Sequence, residues 1–177
     1  MNLALKYPPR YRVEDYEKWE GNWELIEGIP YALASPTFEH QRTVGKIFKI
    51  LDEEVESKCP QCKAGIDTDY VIDEHTVVRP DVFVVCGEIR EKIYKRPILI
   101  FEVVSKSSSE TDEMLKRELY EREGVPCYIL VHPPFKKAKL LRLGPNGYIN
   151  TDEVTDGVLH IDVEGCTLEI DFSKVWD

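Results

Sequence analysis

Two carboxylates stand where apolar side chains are expected. Asp81 follows Pro80 and precedes Val82-Phe83-Val84-Val85, and Glu102 interrupts the run Ile98-Leu99-Ile100-Phe101 before Val103-Val104. An ionised carboxylate buried without a partner is very costly, so each must be paired, protonated or metal-bound. On adjacent strands the two would also repel each other, and a divalent cation between them would remove both problems. Singly, Asp81 reads as a turn residue and Glu102 as half of a salt bridge with an arginine. Together, in consecutive core strands, they read as a site.

Lys116 is the third candidate. On a helical wheel it falls inside the arc of Leu115, Leu119 and Tyr120, the apolar face that should cover a sheet. A lysine there either snorkels past the rim or points its ammonium into a polar site. It could also pair at the surface with Asp112, four residues earlier. Snorkelling is the usual outcome, and the site reading competes with it only because the helix follows directly on the strand that carries Glu102. Glu24, in Trp23-Glu24-Leu25-Ile26, shares a strand face with Ile26 and by itself reads as an exposed strand residue.

The elements that must position these groups follow from periodicity. Apolar residues Val44, Ile47, Phe48, Leu51 and Val55 recur at helical spacing over residues 40–58, and Pro60 ends that helix. A second helix spans residues 109–123, opened by a Ser109…Asp112 capping pair and closed by Gly124. A short helix is expected over 13–20 and a hairpin over 23–33, turning at Glu27-Gly28. Strands are expected over 65–73, 77–86, 97–104 and 125–131. The second and third are apolar enough to be buried on both faces. The remainder, 138–172, reads as a β meander with a turn at Gly144-Pro145-Asn146-Gly147. The expected fold is an α/β mixed sheet flanked by helices with a C-terminal β meander, in one domain over 1–177.

The chain has 177 residues, 42% of them hydrophobic and 32% charged, enough for a core and too apolar for a disordered chain. No apolar run is long enough to span a membrane. Early Lys6, Arg10, Arg12, Glu14 and Asp15 leave no apolar signal-peptide core, so a cytoplasmic location is expected. The net charge of -10 argues against a general basic coat for nucleic acid, though not against local cationic patches or a metal that bridges to phosphate. Lys136, Lys137, Lys139 and Arg142 are the best such patch.

The motifs WELIEG, SPTFEHQRTVG, RPDVFVV, ILIFEVVSKSS and DEMLKRELYEREGVPCYILV follow one another in the order seen in bacterial Uma-two type restriction-endonuclease-like proteins. The chain resembles that family over nearly its whole length, to the closing LEIDFSKVW. The family looks like a branch of the PD-(D/E)XK nuclease superfamily. The resemblance implies a restriction-endonuclease-like fold with a magnesium-type metal (Mn²⁺ as an alternative) held by Asp81 and Glu102. It makes Glu24, Asp81, Glu102 and Lys116 the catalytic set and DNA the expected substrate. The superfamily lysine normally lies two residues after the second acid, where this chain has Val104, and Lys116 occupies the place that the family uses instead. Lys106 stands where the family usually has proline and is a rival for the cationic role. Cys127 and Ile129 also depart from the family pattern.

The expected chemistry is Mg²⁺-dependent endonuclease-like hydrolysis of phosphodiester bonds, with Asp81, Glu102 and the Val103 carbonyl as hard oxygen ligands. Glu24 would hold a second metal or its water shell. The alternative is a catalytically silent nucleic-acid- or protein-binding module that keeps the fold, which the net charge favours. A homodimer would let two sites address two strands.

Other signals carry less. Cys59-Pro60-Gln61-Cys62 has the spacing of half a zinc site, but no second pair with that spacing exists, so it reads as an incidental surface pair. The odd count of five cysteines points to reduced thiols, with Cys86 as a small apolar filler. His40 reads as a helix-start residue that could line a cleft. Ser105 and residues 107–109 lack the glycines of a nucleophile elbow.

Overall fold

The structure is a computed structural model that describes residues 3–106 and 110–177, without the side chains of Leu5 and of residues 110–112. The expected capping pair Ser109…Asp112 and the Asp112–Lys116 pair therefore lie outside what is described.

Element order begins with two single-turn helices, α1 (Leu3–Lys6) and α2 (Val13–Tyr16). The hairpin β1 (Trp23–Ile26) and β2 (Ile29–Ala32) follows, then helix α3 (Phe38–Lys58). Next come β3 (Cys62–Ile66), β4 (Tyr70–Asp73), β5 (Thr76–Val78), β6 (Val82–Cys86) and β7 (Leu99–Val103). Helix α4 (Glu110–Arg122) leads to β8 (Cys127–His132), and the chain closes with β9 (Lys137–Gly144), β10 (Gly147–Val154), β11 (Val158–Val163) and β12 (Cys166–Asp171).

A six-stranded mixed sheet of order β10-β9-β8-β7-β6-β3 is the centre. Strands β7 and β8 are parallel and joined through α4, as a parallel pair requires a long crossover. The neighbours β6–β7 and β8–β9 are antiparallel. A second sheet of order β2-β1-β5-β4 and the separate hairpin β11–β12 complete the β structure.

Alternation along the central strands explains the two cores. Val82, Val84, Leu99, Phe101, Ile129 and Val131 face α3 and the β11–β12 hairpin. Phe83, Val85, Ile100 and Tyr128 face α4 and the second sheet, where they meet Leu119 and Tyr120. In α3, Val44, Ile47, Leu51 and Val55 form the buried stripe that the spacing predicts, and Thr37 caps the helix by accepting from the His40 N–H at 3.2 Å. Each fully buried Ile or Leu of that stripe contributes roughly 1.5–3 kcal/mol over exposure.

The structure corrects the expected strand map at three places. The strand expected over 65–73 is two strands in different sheets, broken at Asp67, whose φ of 41° is left-handed. The strand expected over 77–86 is likewise two, because Pro80 has no N–H to give a ladder and the chain passes between sheets at Arg79-Pro80. The expected meander is two hairpins, since β10 and β11 are not paired. The helix expected over 13–20 keeps only one regular turn.

The cysteines are a further correction. Cys59 and Cys62 are each 1% exposed and are not a surface pair. Cys59 is bonded to Cys166 and Cys62 to Cys86, which leaves Cys127 as the buried free thiol and overturns the expectation of five reduced cysteines.

Candidate active site

The register of the central sheet brings the two odd acids together. Val82 pairs with Phe101 and Phe83 with Ile100 across β6–β7, so one further step sets Asp81 opposite Glu102. Parity then puts both on the α4 side, Asp81 with Phe83 and Val85, Glu102 with Ile100. The Val103 N–H donates to Asp81 Oδ2 at 2.8 Å, which locks the aspartate to the end of β7.

Helix α4 covers this face and points Lys116 into it. Its Nζ lies 2.9 Å from Oε1 of Glu24 and 3.2 Å from Oε1 of Glu102. One helical turn on, the Tyr120 hydroxyl donates to the same Glu102 oxygen at 2.8 Å. Glu24 comes from β1 in the second sheet and is 3% exposed, not the exposed strand residue that its position alone suggests. The Arg79 N–H donates to its Oε1 at 2.8 Å. Arg79 itself is held by Asn22 and Asp67, each at 3.0 Å.

Glu24, Asp81, Glu102 and Lys116 all line one cleft of about 390 Å³, as do His40 and Arg79. Lys106, the rival cation, is exposed and is not among the cleft-lining residues. In the basic patch on β9, Lys137 pairs with Glu153 at 2.8 Å and Arg142 donates to the Asp162 carbonyl at 2.7 Å.

Three further groups join the site, of which the sequence offered only His40, as a helix-start residue that could line a cleft. His40 on the first turn of α3 puts Nε2 3.4 Å from Asp81 Oδ2, while its Nδ1 is buried with no partner among the described residues. The Tyr120 hydroxyl and the Arg79 N–H are the others. Tyr120 was legible as a residue one turn after Lys116 on the same face; the Arg79 contact had no sequence signal.

Charge in the cleft is unbalanced. Burial pushes the Glu102 carboxyl up to about 8, and Asp81 and Glu24 add to that rise against the pull of Lys116 and Tyr120. Burial opposes the charge on Lys116, but Glu102, Glu24 and Asp81 outweigh it and hold the ammonium protonated well above its ordinary range. Asp81 is held below the usual carboxylate range: burial works against its charge, but His40, Lys116 and the Val103 N–H together prevail. The Asp81 bond in turn raises His40, partly offset by burial.

Among the described residues no group of three or more His, Cys, Asp or Glu side chains is arranged as a ready metal cage. Mg²⁺ needs no such cage, because it keeps several waters and commonly takes one or two carboxylates from the protein. Asp81 and Glu102 supply that hard donor set, and a cation there would offset the cost that burial places on the ionised Glu102. The donors fit a magnesium-type ion.

No helix among the described residues is long and apolar enough to cross a membrane. The Uma2 family, described as "Putative restriction endonuclease", matches residues 13–171. A solved crystal structure from Anabaena variabilis ATCC 29413, described as "a putative nuclease belonging to DUF820", superposes with a TM-score of 0.75 and 16% identity, over 93% of this chain and 97% of that one. At that identity the likeness shows the shared fold. None of the curated proteins matches the chain.

Proposed function

Since the chain belongs to the Uma2 family of restriction-endonuclease-like proteins, we propose that it is a metal-dependent deoxyribonuclease whose site is the cleft of Asp81, Glu102, Lys116 and Glu24. The observation that carries this reading is the pairing of Asp81 with Glu102 at the end of adjacent strands, with the Lys116 ammonium 3.2 Å from the second acid. Asp81, Glu102 and the backbone carbonyl of Val103 would hold the ion. Bound there, a Mg²⁺ or Mn²⁺ ion supplies a more acidic water and neutralises charge on a phosphoryl oxygen.

The chain's own groups do the rest. Lys116 donates hydrogen bonds to the attacking water or to the phosphate oxygen on which charge develops. Glu24, anchored by the Arg79 N–H, fixes the direction of the Lys116 side chain. This role stands beside the one the sequence suggested for Glu24, a second metal or its water shell, which would fall to its other oxygen, since Oε1 is engaged by Lys116 and Arg79. His40 holds Asp81 ionised. Tyr120 orients Glu102 from below.

The test incubates the purified protein with Mg²⁺ or Mn²⁺ and with supercoiled, linear and single-stranded DNA, beside Asp81→Ala and Glu102→Gln. Cleavage by the wild type and its loss in both variants supports the reading. Intact DNA in every case, with no Mn²⁺ bound, sinks it. The net charge of -10 favours a second reading, a silent binding module that retains the fold. That module would bind a partner unchanged by Asp81→Ala.

A further inference from the structure

The Cys59-Pro60-Gln61-Cys62 run has no part in the cleft. In sequence it is half of a thiolate metal site with no second half nearby. The fold supplies that half from two distant elements. Cys86, at the end of β6, is the register partner of Cys62 on β3. Cys166, the first residue of β12, lies against Cys59 at the end of α3, with their Cα atoms 5.9 Å apart.

The two pairs are one cluster. The Cys62 N–H donates to the Cys59 carbonyl at 2.8 Å, closing the turn that holds these two cysteines side by side. Gln61 ties the remaining pair to the same turn. Its carbonyl accepts from the Gly87 N–H at 3.0 Å, next to Cys86, and its side-chain Nε2 lies 3.7 Å from Cys166 Sγ. Cys59, Cys62 and Cys166 are buried in the α3 core, and Cys86 packs against it. The fifth cysteine, Cys127, is on β8, with Arg142 rather than a thiol beside its sulfur.

We propose that these four cysteines form a single thiol site with two states, the pair of disulfides seen in the structure and, after reduction, a tetrathiolate site for a zinc-class divalent ion. In the disulfide state the sulfurs are bonded to each other and hold no ion. Each disulfide takes two electrons and two protons from a dithiol reductant, which leaves as its own disulfide, and yields two thiols. The four thiols then give up their protons as they bind Zn²⁺. The ligand set suits zinc: four sulfurs from four elements, two of them in a C-x₂-C turn to which the other two are tied through Gln61, and reduction would free them to close around one ion. The Gln61 amide at Cys166 is the kind of outer donor that stabilises a metal-bound thiolate. Bare thiolates in this apolar setting would be costly, and the cation removes that cost. The site is independent of the acidic cleft, and in either state it clasps the β11–β12 hairpin to α3 and β3.

The experiment uses the full chain, kept under a phosphine reductant or oxidised in air. Zinc is counted per chain by elemental analysis, free thiols are counted in denaturant, and Co²⁺ replaces Zn²⁺ for absorption spectroscopy. The reduced protein is expected to carry one zinc per chain and to show thiolate-to-cobalt charge-transfer absorption. The oxidised protein should show a single free thiol and no thiolate-to-cobalt charge transfer, and any ion it still binds should be lost in Asp81→Ala. Cys86→Ser and Cys166→Ser should each lose the metal, while Cys127→Ser and Asp81→Ala keep it. The proposal is overturned if the reduced, folded protein takes up neither ion, or if uptake survives the cysteine substitutions and vanishes in Asp81→Ala. If the cysteine variants fail to fold, the wild-type cobalt spectrum decides, since cobalt bound without charge-transfer absorption is not on sulfur.

Discussion

The Lys116 ammonium on α4 lies 2.9 Å from Oε1 of Glu24 on β1. That contact joins the helix over the central sheet to a strand of the second sheet, and it sets the direction of the lysine toward Glu102. Its consequence is that, under the proposed function, the cation serves the fold and the chemistry at once.

Lys116→Met should therefore destabilise the fold as well as abolish activity. It leaves the buried Glu24 carboxylate without its cation, a change that typically costs about 3–5 kcal/mol. Adding Glu24→Gln and Glu102→Gln should recover most of the loss, because no uncompensated charge then remains. Urea melts of the single and triple variants measure this. Equal stability of Lys116→Met and wild type contradicts the burial of the pair.

The pH dependence of the metal-free fold follows from Glu102. Its folded value is about 8 against an ordinary 4.5. Between those limits the folded protein holds a proton that the unfolded chain has released. The stabilisation is complete below about pH 4.5 and is lost as pH rises through about 8, on the order of 1 kcal/mol per pH unit. His40, also raised, acts in the same direction. Denaturant unfolding in a chelator from pH 5 to 9 should show the decline. A profile that rises over this interval contradicts it.

Metal binding should run the opposite way. An ion at Asp81 and Glu102 displaces the Glu102 proton, so Mn²⁺ affinity should climb with pH and level off above about 8. At pH 7 binding should release a proton, measurable by calorimetry in two buffers of different ionisation heat. In Glu102→Gln the pH dependence should flatten.

Tyr120→Phe removes one hydrogen bond to Glu102 and little volume. A stability loss of about 1–3 kcal/mol is expected. Because the hydroxyl holds the carboxyl down, the Glu102 midpoint should move up. The same variant read by the pH profile of Mn²⁺ binding should show the plateau reached at higher pH.

Gly65→Ala tests the packing behind the cleft. Gly65 pairs with Phe83 across β3–β6, and a Cβ there would meet the Phe83 ring at 2.3 Å. The ring must move in a full core, at a cost of about 1–3 kcal/mol. Phe83→Leu in the same chain should relieve part of it.

The sequence by itself determined the parts whose signal is local. Helical spacing placed α3 and its buried stripe, and the apolar runs placed β6 and β7 with a charge in each setting. The wheel position put Lys116 on the apolar face, and the structure decided that its ammonium points into the cleft rather than past the rim. Glu24 was legible only through the family resemblance, since one glutamate in a short strand has the pattern of an exposed residue. What the tertiary structure decided is everything set by contacts between distant segments. Pro80 sent one expected strand into two sheets, and Asp67 did the same for another, so Glu24, in a strand of the second sheet, could face Lys116. His40 reached Asp81 because the start of α3 meets the start of β6. Cys86 and Cys166 joined the Cys59–Cys62 turn by strand register and hairpin packing, which no spacing along the chain records. Periodicity reports which face of an element is buried; it does not report which other element covers that face, and the cleft and the thiol cluster are both made of that second kind of information.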